Sequence, residues 1–288
     1  MDYVIHLLIL IGIFSILGLS LNLVVGYTGL LSITQAAFYG IGAYTTAILM
    51  RALGMNFFLS MLIGIVATIV ISSIIGTVLS KFKDDYYALG SFGFNIIIYS
   101  VMLNWQGLTR GPLGLPGIGR PELFGLILSE NGAFLILVII LTVFVFLLSQ
   151  AITRSSFGRV LMAIREDEKV IQVFGYRTHS YKLLIFIVSA GMASIAGSLF
   201  ASYITFIDPS SFVLMESIFI LAIIILGGLA NNKGAVLGAI IMILLPEALR
   251  FVGFPTEIAA QMRQVVYGVL LIILMIYRPQ GVMGNYKL

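Results

Sequence analysis

The sequence predicts an all-α, polytopic transmembrane helical bundle of about 8–10 spans, some of whose Gly-rich segments are open to a re-entrant course. Two observations carry this reading. Of the 288 residues 60% are hydrophobic and only 10% charged, where a soluble domain of this length carries roughly 25% charged residues. The charges also leave long gaps: none occurs between Asp2 and Arg51, nor within 52–80, 86–109, 131–153 or 183–207. Roughly 20 apolar residues of helix cross the hydrocarbon core, so the first gap holds two crossings and each of the others holds one. Unpaired backbone groups are costly in lipid, which makes these runs helices. They do not alternate with period two, so barrel strands are excluded.

Taken in order, the expected spans are 3–25, 28–50, 57–80, 86–105, 131–152, 183–206, 212–230, 234–250 and 261–277. The first lies where a signal peptide would lie, but Met1–Val25 has no basic leading region and no A-x-A-like cleavage site. The last three are shorter, more Gly-rich or interrupted, and a re-entrant segment among them would lower the count. An outward loop over 106–130 is rich in glycine and proline and forms a turn-rich surface. An inward loop over 153–182 holds nine of the 28 charges. With that loop in the cytoplasm, 11 of the 16 basic residues face inward, Lys81, Arg154, Arg165 and Lys233 among them. The positive-inside bias therefore puts the N-terminus outside and the C-terminus in the cytoplasm of a multi-pass cell membrane protein.

Within the inward loop, Gly158–Phe174 patterns as an amphipathic helix, with Val160, Ile164, Ile171 and Phe174 opposite Arg165–Lys169, and Gly175 supplies a C-cap. A second short helix is expected to begin near Thr178 and run into the next span. Such helices serve either as a docking element or as an ordinary interfacial connection.

Enzymatic motifs are absent. The chain contains no H-E-x-x-H, no G-x-S-x-G and no phosphate-binding G-x-x-x-x-G-K-S/T, and no cysteine. No cofactor and no metal are expected, and a net charge of +4 gives no case for nucleic acid. His6 and His179 read as structural. Glu216 and Glu247 lie near span ends, where snorkelling explains them, which weakens an ion-coupled secondary transporter as a reading. Neutral polar residues stand inside the spans instead. Asn22, Ser32 and Gln35 cluster in the first two, Asn95 sits mid-span, and Asn231 and Asn232 follow the Gly227-Gly228 pair. Two readings stay open for Asn22, Ser32, Gln35 and Asn95, namely interhelical hydrogen bonding and the lining of a pathway for a zwitterionic or uncharged solute. The rows Gly234/Gly238 and Ala193/Gly197/Ala201 read as close helix packing.

Several segments together resemble the LivM-type permease of branched-chain amino acid ABC importers. They are Leu21–Gly26 through Gly40–Tyr44, Asp85–Ala88 with Gly93-Phe94, Thr109–Gly111 through Gly114–Ile118, Gly158-Arg159 with Ala163–Glu168 and Gly175, Leu226–Leu229 through Gly234–Ala239, and Arg278–Gly281. The resemblance implies a pathway shared with a LivH-like second permease subunit, an extracytoplasmic substrate-binding protein, and two ATP-binding ATPase subunits. It assigns coupling to those ATPases to Gly158, Arg159, Ala163, Arg165, Glu166, Asp167, Glu168 and Gly175. Val170 and Ile171 depart from the small alanines usual in the family at that place. The same family fold also serves urea and short-chain amides.

Overall fold

The computed structural model describes residues 2–82, 84–123, 126–127, 130–250, 268–269, 272, 277 and 280–284. Its helices are α1 (Asp2–Thr28), α2 (Gln35–Leu53), α3 (Phe57–Leu79), α4 (Asp84–Asn104), the single turn α5 (Gln106–Thr109), α6 (Asn131–Arg154), α7 (Ser156–Glu166), α8 (Glu168–Val173), α9 (Thr178–Ile204), α10 (Leu214–Gly227) and α11 (Asn232–Arg250). Among the described residues, five helices are long and apolar enough to cross a membrane: α1, α3, α4, α6 and α9. A sixth unit is the pair α10 and α11, bent by 118° at its break.

The structure departs from the expected spans in two places. Helix is expected from residue 28, but Gly29 takes φ +73° and the chain runs without regular structure to Thr34 before α2 begins. The helices over the expected spans 212–230 and 234–250 meet at a bend of 118°, and only as a pair are they long and apolar enough to cross a membrane. The span expected over 261–277 lies almost wholly outside the described residues.

Helix α9 is the hub. It is buried along most of its length, and it runs antiparallel to α1: His6 Nδ1 lies 2.6 Å from the Tyr203 hydroxyl at one end, and Ser189 Oγ donates to Ser20 O at 2.7 Å near the middle. Its small residues let other backbones approach closely, as helix association in lipid requires. A Cβ on Gly197 would stand 2.0 Å from Tyr39 O and 2.8 Å from Ala43 N. One on Gly42 would stand 2.5 Å from the backbone of Ser194. Helix α3 completes this group through a stripe with a four-residue repeat, Ser60, Gly64, Thr68, Ser72 and Gly76, all buried, while between Phe57 and Leu79 at its ends the other residues are half-buried or exposed. Thr46 and Ser198 hydroxyls meet at 2.8 Å between α2 and α9. Contacts at this range come from small residues and hydroxyls, so the packing is dispersion and short hydrogen bonds rather than expelled water.

Beyond α5 the loop over 106–130 forms a single 3-10 turn, Gly111–Leu113, and short strands among its described residues. Leu115–Pro116 pairs antiparallel with Phe206–Ile207, which ties the loop to the end of α9, and Glu122–Leu123 pairs with Leu126–Ile127. These two-residue ladders leave the all-α class unchanged.

Gly197→Val is expected to destabilise the chain by about 3 kcal/mol, because a branched side chain cannot fit against the α2 backbone. Gly132→Ala, where nothing lies within 4 Å of the added atom, is expected to leave the melting temperature in detergent unchanged.

Candidate translocation and coupling sites

Two interruptions of helix structure create the polar centre of the bundle. The first is the segment 29–34. Backbone groups there have lost their helical partners, and in an apolar interior each must find another. Side chains from α4 and α10 supply them. Ser91 Oγ accepts from Ile33 N at 3.0 Å, and Asn95 Nδ2 donates to Ile33 O at 2.8 Å and to Ser217 Oγ at 2.7 Å. The same Ser217 oxygen accepts from Ala36 N at 2.9 Å, satisfying one of the orphan donors of the α2 first turn. Ser32 and Thr34 hydroxyls meet at 2.9 Å. Gln35 Nε2 donates to Ser20 Oγ and, at 3.4 Å, to Ser189 Oγ, so one amide bridges α1, α2 and α9.

The second interruption is the elbow between α10 and α11. Gly228 has φ +117° and Ala230 φ +56°. Asn22 Oδ1 accepts from Ala230 N at 3.1 Å, so α1 holds the elbow from inside. A Cβ on Gly227 would lie 2.0 Å from Gly234 O, and one on Gly238 would lie 2.1 Å from Ile223 O. The Gly234/Gly238 row therefore packs the two arms on each other. From the far side Val282 N and Met283 N donate to the last carbonyls of α10, on Leu226 and Gly227, each at 2.9 Å.

Ser32, Gln35 and Asn95 are thus brought together, while Asn22 serves the elbow. All four are 0–1% exposed, so in this conformation they close seams within one chain and border no open path. Ser20, Ser91, Ser189 and Ser217 complete the network; Ser91 stood beside Asn95 in the sequence, whereas Ser20, Ser189 and Ser217 were not singled out by it. Isolated serines in apolar helices carry no signal of their own, since a hydroxyl also satisfies itself on its own helix backbone.

The inward loop differs from the single helix expected over 158–174. It breaks at Asp167, which takes φ −156° and ψ 105° and caps α8 by accepting from Lys169 N at 2.8 Å and Val170 N at 3.2 Å. An aspartate that offers the backbone this alternative ends one helix and starts another. The break resets the phase of the apolar face. Leu161 and Ile164 of α7 are buried, whereas Val173 and Phe174 are 87% and 72% exposed. Together with Val170 and Tyr176 they form an apolar tip beyond the bundle.

Each residue expected to couple now has a place. Gly158 is buried against Ile152 O and Thr153 O, where any Cβ would clash, and its N–H is held by the Ser155 cap at 3.3 Å. Arg159, Glu166 and Asp167 are exposed and Ala163 is half-buried. Arg165 donates from Nη1 to Gly26 O in the last turn of α1, where a cation suits the helix dipole. Glu168 pairs with Lys182 of α9 at 2.5 Å and accepts from Thr178 Oγ1 at 2.9 Å. Gly175, with φ +86°, closes α8 by donating to Gln172 O at 3.0 Å. A cleft of about 370 Å³ separates this element from Thr28–Leu30.

A family model described as a branched-chain amino acid transport system permease component matches residues 3–275. The chain belongs to this permease family. Among its relatives is the high-affinity branched-chain amino acid transport system permease protein LivM of Escherichia coli, 33% identical over 94% of this chain and 68% of the relative. The probable LivM of Methanocaldococcus jannaschii is 25% identical over 97% of this chain and 93% of its own length. The E. coli LivH permease is 26% identical over 94% and 91%. No solved structure matches. The relatives are named as transport permeases, not as enzymes. The family assignment gives the polar centre its context: a permease whose buried polar groups bind one another in the conformation seen here.

Asn95→Leu and Ser217→Ala are each expected to cost about 1–3 kcal/mol, since each leaves a buried backbone group unpaired. Because both serve the same segment, the double variant is expected to cost less than the two single losses combined, a non-additivity that thermal unfolding in detergent measures directly.

Proposed function

We propose that this chain is one membrane-spanning subunit of an ATP-binding-cassette importer for branched-chain amino acids. In this reading it shares its pathway with a LivH-like second permease subunit, receives solute from an extracytoplasmic binding protein, and is driven by two ATPase subunits at its cytoplasmic face. The observation that carries the reading is the match of nearly the whole chain to a permease family whose relatives are named for branched-chain amino acid transport. Transfer of those names favours leucine, isoleucine and valine over urea or short-chain amides.

Physical features support the same division of labour. The chain has no phosphate-binding loop, so the energy enters from outside. The inward loop offers an apolar tip, Val170, Val173 and Phe174, and also exposes the charged Arg159, Glu166 and Lys169. An exposed apolar helix end on a charged loop fits a groove on a partner. The neutral polar centre suits a zwitterion, and we infer that solute passes when the Ser20–Gln35–Ser189 seam parts, which turns Gln35, Ser32 and Asn95 from bracing into lining residues. A conformational change of this kind needs a partner that favours the open state.

Co-purification with the ATPases, second permease and uptake measured in vesicles test the reading together. Val173→Asp with Phe174→Asp is expected to abolish ATPase retention and reduce leucine uptake to background while membrane insertion persists. Leucine uptake by this chain alone, driven by a sodium or proton gradient, would contradict it. Orientation is checked separately, because the sequence has no cysteine and single thiols can be introduced cleanly. Val173→Cys is expected to react with an impermeant thiol reagent only from the cytoplasmic side, and Leu113→Cys only from outside.

A further inference from the structure

The charged groups of the inward loop are not equivalent: two of them leave the loop and grip transmembrane helices. Arg165, on α7, holds the last turn of α1 through Gly26 O. Glu168, the first residue of α8, holds α9 through Lys182 at 2.5 Å and Thr178 at 2.9 Å. Between them stands a single non-helical residue, Asp167. Lys182 is 4% exposed and Glu168 22%, and among the described residues this is the one carboxylate–ammonium pair within 4.0 Å. An ion pair this dry is a poor source of net stability, because desolvation offsets the attraction; its strength is geometric, since neither charge tolerates losing the other.

We propose that the Glu168–Lys182 ion pair is the strut through which movement of α8 reaches α9, with Asp167 as the hinge that lets α8 move relative to α7. The proposal rests on the coupling role given above to the inward loop. Helix α8 has no buried residue of its own; polar side chains join it to α9, the Glu168 carboxylate through Lys182 and Thr178 and the Gln172 amide by donating to Thr178 Oγ1 at 2.9 Å. Its apolar tip is the part a partner touches. A push on that tip turns α8 about Asp167, and Lys182 makes α9 follow. Helix α1 stays with α7 through Arg165, while the buried Leu161 and Ile164 seat α7 in the bundle. The two antiparallel helices α1 and α9 then shift against each other where Ser189 and Gln35 join them to Ser20. Lys182 and Glu168 are positioning residues in this scheme: neither touches solute, and each acts through the helix it holds.

The test uses the complete transporter in vesicles and reads three quantities: ATPase retention, ATP hydrolysis, and solute moved per ATP consumed. Glu168→Gln and Lys182→Met are expected to retain the ATPases and hydrolyse ATP, while solute per ATP falls about tenfold, within the usual range of site-to-site coupling. The charge swap, Glu168→Lys with Lys182→Glu, is expected to recover most of the loss. A second pair guards against misfolding of the buried single variants: Glu168→Cys with Lys182→Cys, uncoupled when reduced, is expected to regain coupling when a short thiol cross-linker replaces the ion pair by a covalent tether. Single variants that move solute per ATP as the unmodified protein does would overturn the proposal, as would a tethered pair that stays uncoupled. If the single variants lose the ATPases, the role is docking and the strut is refuted. Should the unmodified chain itself retain no ATPase, the coupling reading falls and takes the strut with it.

Discussion

Backbone polar groups away from water must be paired, and among the described residues helix structure stops twice inside the bundle. That constraint orders much of the rest. A continuous helix satisfies its own amides, but segment 29–34 and the elbow at 228–231 do not. Asn95, Ser91, Ser217 and Asn22 are placed where they replace the missing bonds. A break that is satisfied in this way has a second property. Its bonds join different helices, so they can be exchanged when those helices move, whereas the internal bonds of an unbroken helix cannot. Breaks are costly unless held, and once held they are the natural places for a pathway to open.

The remaining packing frames these breaks. Helices α2, α3 and α9 form a tight group through Gly42, Gly64 and Gly197, with backbones at contact distance. Helix α1 also packs closely on α9, and there hydroxyls and an amide add polar bonds, at Ser20, Gln35 and Ser189. In the proposed reading these exchangeable bonds mark the plane along which the bundle parts. The inward loop reaches both sides of that plane, touching α1 through Arg165 and α9 through Glu168.

Much of this was legible in the sequence, for identifiable reasons. Charge-free runs mark α1, α3, α4, α6 and α9, because a helix that crosses lipid cannot hide its composition. Asn22, Gln35 and Asn95 stood out because an amide inside a span needs a partner, and each has one. The late start of α2 was not legible, since Gly29, Ser32 and Thr34 are all tolerated in a membrane helix and only the tertiary bonds to α4 and α10 make the extended course preferable. The break at Asp167 was missed for a related reason. Arg165–Lys169 reads as one polar face until the aspartate is seen to cap the residues after it. The α3 stripe was hidden because a four-residue repeat of serine, threonine and glycine in an apolar helix is visible only once its neighbours are known.

The central claim is that the α1–α9 seam closes the pathway and must open for solute to pass. Its most direct measurement is leucine uptake by the complete transporter carrying Ser20→Cys and Ser189→Cys, before and after bridging the two thiols with a short cross-linker. Bridging is expected to stop uptake while the ATPases stay bound, and cleavage of a reducible bridge is expected to restore it. Undiminished uptake through a fully bridged seam would contradict the claim.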